Sequence, residues 1–94
     1  MARRRYLVAY DICDDRRLRQ VCKTMEGHGD RLQYSVFVCD LNRTELIRLR
    51  ATVERQMRLA EDSVVIVDLG GTVDARFTFL GRSRRLPATG PQII

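Results

Sequence analysis

Asp11 stands at the end of an unbroken apolar run, Tyr6-Leu7-Val8-Ala9-Tyr10, and Asp14 and Asp15 follow it closely. An acid at the mouth of a buried strand is a candidate ligand for a metal ion or a proton. A loop carboxylate in this place also caps a following helix, and the sequence leaves both roles open. The second chemical signal is arginine. Sixteen of the seventeen basic residues are arginine, Lys23 being the exception, and the net charge is +5. Guanidinium forks match phosphate oxygens bidentately, so RNA or DNA suits this charge as a partner. An arginine-rich genome or adaptation to heat gives the same count. Cys13, Cys22 and Cys39 form no CxxC pair and His28 is the only histidine, which argues against a zinc site. Gly70-Gly71 lacks the spacing and the following helix of a phosphate loop and reads as a turn.

The elements that position these residues follow from pattern. A continuously apolar run of this length predicts a strand over residues 4 to 11, buried on both faces and central in a sheet. Asp14 has the place of an N-cap, and Leu18, Val21, Cys22 and Met25 recur at helical spacing before Gly27 and Gly29 end the helix. Arg16, Arg17, Arg19, Gln20, Lys23 and Glu26 fall on its other face. Residues 31 to 39 are β-rich. If that strand is regular, Leu32, Tyr34, Val36 and Val38 share one side, and Arg31, Gln33, Ser35 and Phe37 form a basic and aromatic opposite side. Such a side suits nucleic acid, and equally an ordinary solvated sheet face. A second helix is predicted from Glu45 to Leu59, capped by Asn42 or Thr44, with Leu46, Leu49, Val53 and Met57 inward. Ser63 to Leu69 is another strand, and Arg76 to Leu80 a short extra one. The plan is α+β: β-α-β-α-β with a short strand added. Two strands within 31 to 40 would make it βαββαβ, but no Gly, Pro or Asn marks a turn there.

At 94 residues the chain is one domain, residues 1 to 81, followed by a tail over 82 to 94. The tail holds both prolines, Arg82, Arg84, Arg85 and the apolar end Ile93-Ile94. Its core is small enough that stabilisation by a partner subunit is expected. No apolar run approaches a membrane span and no signal peptide is present, so a cytoplasmic protein without a membrane partner is expected.

Four stretches resemble one family in order and spacing. They are Tyr10-Asp11-Ile12, Asp14 to Arg19, Gly29 to Phe37, and Glu61-Asp62-Ser63-Val64. Together they are similar to the small CRISPR-associated adaptation protein, family two of the Cas proteins, over residues 4 to 80. The resemblance implies a ferredoxin-like sandwich and a homodimer in which the last strand, here Arg76 to Leu80, crosses to the partner. It also implies a metal-dependent endonuclease acting on RNA or DNA, and a role in spacer acquisition beside the CRISPR integrase, Cas family one. The family's metal-binding aspartate falls on Asp11, and Tyr10, Arg31 and Phe37 match positions around that site. Arg17 and Arg19 fall in its basic helix start, where Arg16 adds a third candidate for phosphate. Val38-Cys39 is a departure, since many members carry a glutamate after the phenylalanine.

The chemistry is coherent. Mg2+, for which Mn2+ substitutes, takes one or two carboxylates and fills its octahedron with water and phosphate. A two-fold axis near Asp11 would bring two such acids together. The ion would polarise the scissile phosphate and lower the pKa of a water. Phe37 would stack a base or pack internally, and Arg31 would hold a phosphate. Two other readings use the same residues: a dimeric DNA-binding adaptor in which Asp11 is idle, and a ribonuclease toxin of the VapD type.

Overall fold

Tyr6, Val8 and Tyr10 alternate along β1 (Arg4–Asp11) and are buried on one side, while Leu7 and Ala9 are half-buried on the other. That double cover places β1 inside the sheet, as its sequence predicts. In the computed structural model, which describes residues 2–73 and 76–82, the remaining elements are α1 (Asp15–Glu26), β2 (Asp30–Gln33), β3 (Val36–Leu41), α2 (Arg43–Gln56) and β4 (Ser63–Gly71). The sheet is antiparallel in the order β2-β3-β1-β4. Val8 faces Phe37 of β3 on one side and Ile66 of β4 on the other. Both helices lie on one face of the sheet, giving the ferredoxin-like βαββαβ plan. Among the described residues no helix is long and apolar enough to cross a membrane.

The core sits between the sheet and the helices. Val21 and Met25 of α1 and Leu49 and Val53 of α2 pack on Tyr6, Val8, Tyr10, Phe37, Cys39 and Leu41. Each such side chain withdrawn from water contributes about 1.5–3 kcal/mol. The outer face is less covered, for Val65 and Val67 of the edge strand β4 remain 53% and 41% exposed. The helix layer therefore carries most of the fold. Burial pushes the Cys39 thiol up to about 12, so it stays protonated and packs as an apolar group.

Local chemistry sets the helix limits. Asp14 accepts from Arg17 N at 3.0 Å and starts α1. The chain stops at Gly27 in a right-handed conformation, so the glycine that matters sterically is the next one. A β-carbon at Gly29 would collide with the Val38 carbonyl oxygen. α2 begins at Arg43, two residues before the expected start, because Asn42 rather than Thr44 is the cap. Glu45 N donates to Asn42 at 2.9 Å, and Asn42 N donates back to Glu45 at 2.8 Å.

Residues 31 to 41 are two strands, joined at Tyr34-Ser35. Two-residue hairpins usually need positive φ. Among the described residues only Gly70 and Gly81 have it. Here a register slip between Arg31 and Gln33 absorbs the turn, and Tyr10 N donates to the Ser35 carbonyl at 3.1 Å, tying it to β1.

One expectation is corrected. The side bearing Arg31 and Phe37 is the side under the helices, not a solvated face, and Phe37 is fully buried. Residues 76 to 80 form no strand in the single chain. Phe77 and Phe79 stack on each other at 6.1 Å and pack on the outer face with Leu7, Leu32, Val36 and Val38. The tail from 83 onward, with Arg84, Arg85 and the final isoleucines, lies outside the described residues.

Candidate metal and nucleic-acid site

Strand alternation divides the expected site residues. Tyr10 and Asp11 are neighbours in β1 and so point to opposite sides of the sheet. Tyr10 joins Phe37 and Arg31 beneath the helices. The Tyr10 and Phe37 rings stack with centroids 6.2 Å apart, and the Arg31 guanidinium lies 5.3 Å from the Phe37 centroid and 6.0 Å from that of Tyr34. Arg31 also donates to the Cys22 sulfur. Burial is the main cause that pushes the Tyr10 phenol up to about 12, so it remains neutral near pH 7. The Tyr10 hydroxyl and Arg31 Nε are buried without a hydrogen-bond partner among the described residues. Tyr10, Phe37 and Arg31 thus form one packed cluster, and Phe37 has no surface left on which a base can stack.

Asp11 is different. It is exposed at the end of β1, in register with Ser63 of β4. Its carboxylate makes no hydrogen bond or ion pair with a described side chain. Among the described residues no three His, Cys, Asp or Glu side chains gather into a metal cluster. A single free, hard oxygen donor open to solvent still fits an ion such as Mg2+, which draws most of its ligands from water and phosphate.

The basic residues of α1 also separate. Arg16 and Arg19 are exposed, and their side chains pair with no described residue. Arg17 forks onto Asp62 instead, with Nε to Oδ2 at 2.8 Å and Nη2 to Oδ1 at 3.1 Å. Asp62 further accepts from Cys13 N at 2.9 Å and Arg58 N at 2.8 Å. The Arg17 guanidinium, helped by these two amides, holds the Asp62 carboxyl well below the usual carboxylate range. Arg17 is therefore an internal tie, and Asp62, which the sequence shows only within the family-like stretch Glu61 to Val64, is the residue that holds it. Its signal was the acidic pair Glu61-Asp62 directly before an apolar strand.

Fold and site define a small ferredoxin-like domain with a free carboxylate at the mouth of its central strand and arginines on the helix that follows. Residues 4–76 match the family described as CRISPR associated protein Cas2. The CRISPR-associated endoribonuclease Cas2 of Geobacter sulfurreducens is 48% identical over 65 residues, spanning 69% of this chain and 68% of that one. A crystal structure of a hypothetical protein from Thermus thermophilus superimposes with a TM-score of 0.77 at 34% identity, covering 89% of this chain and 98% of the other. Streptococcus pyogenes Cas2 gives a TM-score of 0.66 at 30% identity, covering 70% and 86%. The chain belongs to the CRISPR-associated Cas2 family.

Proposed function

We propose that the protein is a divalent-metal-dependent endonuclease of RNA or DNA, working as a homodimer in the spacer-acquisition arm of CRISPR defence, beside the CRISPR integrase. The observation that carries the proposal is Asp11, exposed at the end of the central strand and unpaired among the described residues. Asp11 would hold Mg2+, or Mn2+ in its place. When bound, such an ion polarises the scissile phosphate and lowers the pKa of a water. The chain's own part is to keep Asp11 open to solvent, and to draw the phosphate backbone toward it with the exposed forks of Arg16 and Arg19. The Tyr10-Phe37-Arg31 cluster fixes the end of β1 from beneath. The names of relatives as endoribonucleases and endonucleases support this reading.

The dimer is supported by the outer sheet face. Val65 and Val67 there stand 53% and 41% exposed beside the half-buried Leu7 and Val36. A second copy laid on this face removes apolar surface from water and brings a second Asp11 toward the two-fold axis. The decisive experiment compares cleavage of labelled RNA and duplex DNA by wild type and Asp11→Asn, with Mg2+, Mn2+ or excess chelator, and scores spacer acquisition for both. The expected result is cleavage by wild type with either metal and none in chelator or in the variant. Cleavage persisting in Asp11→Asn refutes the assignment. A wild type inert with every metal, but proficient in acquisition, makes the non-catalytic adaptor the better reading.

A further inference from the structure

We infer that Asp62 is a positioning residue for the Asp11 carboxylate, acting through the backbone that follows it. The inference rests on the reading of Asp11 as metal ligand. The Asp62 side chain is fully buried. Its Oδ1 accepts from Cys13 N and Arg17 Nη2, and its Oδ2 from Arg17 Nε and Arg58 N. A carboxylate offers about four acceptor sites, and all are engaged. The donors come from three separate segments: the loop after β1, the first turn of α1 and the loop after α2. Cys13 is held a second time, because its Sγ donates to the Glu61 carbonyl at 2.9 Å.

Asp11 lies between two of these anchors. Its backbone pairs with Ser63, the residue next to Asp62, and Cys13 follows it by two positions. The Asp11 carboxylate makes no hydrogen bond or ion pair with a described residue, so what orients it is the backbone that carries it. A buried ion pair adds little net stability over a well-packed apolar pair. What the Arg17-Asp62 fork adds is fixed geometry at the mouth of β1, and groups that orient a ligand govern metal affinity strongly.

The test measures Mn2+ binding alone, by paramagnetic resonance or calorimetry, on wild type, Asp11→Asn and Asp62→Asn, each shown to be folded at the assay temperature. Asp62→Asn keeps the shape and one acceptor but removes the charge that engages Arg17. The expected result is dissociation weakened about tenfold, the low end of the range for groups that orient ligands, with the Cys13 amide exchanging faster with solvent. An unchanged Mn2+ affinity in folded Asp62→Asn, with Asp11→Asn still abolishing binding, overturns the inference alone. Equal Mn2+ affinity in wild type and Asp11→Asn overturns the metal reading and the inference with it. If Asp62→Asn fails to fold, wild type decides by itself: a Cys13 amide exchanging as fast as a free loop amide overturns the inference.

Discussion

Replacing Phe37 by leucine separates a packing role from a base-stacking role, because each predicts a loss in a different measurement. Phe37 is fully buried, stacked on Tyr10 at 6.2 Å and lying 5.3 Å from the Arg31 guanidinium. Alanine would cost about 3–5 kcal/mol, which approaches the whole stability of a small domain. Leucine keeps the site apolar. It forfeits the aromatic pair, worth about 0.5–1.5 kcal/mol, and the cation–π contact, worth about 0.5–1 kcal/mol. A modest repacking cost brings the expected loss to about 2 kcal/mol. For a domain of this size each kcal/mol lowers Tm by about 4–8 °C, so a fall of about 8–16 °C is expected. Unfolding is to be followed at one fixed protein concentration, since association shifts Tm. Nucleic-acid affinity, read by fluorescence anisotropy well below both midpoints, should be unchanged. The opposite pattern refutes the packing argument: an unchanged Tm with affinity falling by an order of magnitude or more, since a stacked base is worth about 1–3 kcal/mol.

Two further outcomes test the electrostatics. Arg16→Ala and Arg19→Ala should each lower the slope of log affinity against log salt by about 0.9 on duplex DNA and about 0.7 on single strands. Arg17→Ala should leave that slope alone while lowering Tm, and an equal slope change for Arg17 would contradict its role as an internal tie. The acid limb of stability should be carried by depressed carboxylates. Asp14 is held down by the Arg17 amide, Glu45 by the Asn42 amide and Arg3, Asp62 by Arg17, and Asp68 by Arg4 and the Gly70 amide. A carboxylate whose folded pKa lies below its unfolded value gives stability that is present above about pH 4 and is lost as pH falls further. Tm should therefore hold between about pH 5 and 8 and drop below about pH 4. A Tm unchanged down to about pH 2 would contradict these pairings.

The central strand could be read from sequence alone, because only a position covered on both faces suits Tyr6 to Tyr10. Both helices were legible too, since Asp14, and Asn42 or Thr44, offer caps ahead of stripes at helical spacing, and Asp11 stood out as the acid ending the apolar run. The sequence also carried the alternation that pairs Arg31 with Phe37 and Leu32 with Val36 and Val38. Which of those two sides meets the helices was decided only by tertiary structure, because alternation names two faces without saying where the helices dock. The hairpin at Tyr34-Ser35 was likewise silent in sequence: a register slip and a hydrogen bond from Tyr10 replace the glycine or asparagine that would have marked it. The same reason hid the division of the arginines. Arg16, Arg17 and Arg19 are alike as residue types, and only the approach of Asp62, 45 residues away along the chain, turns Arg17 inward and leaves the other two free. Long-range ion pairs and the packing of Phe77 and Phe79 on their own sheet depend on which surfaces meet, and that is settled by the folded chain as a whole.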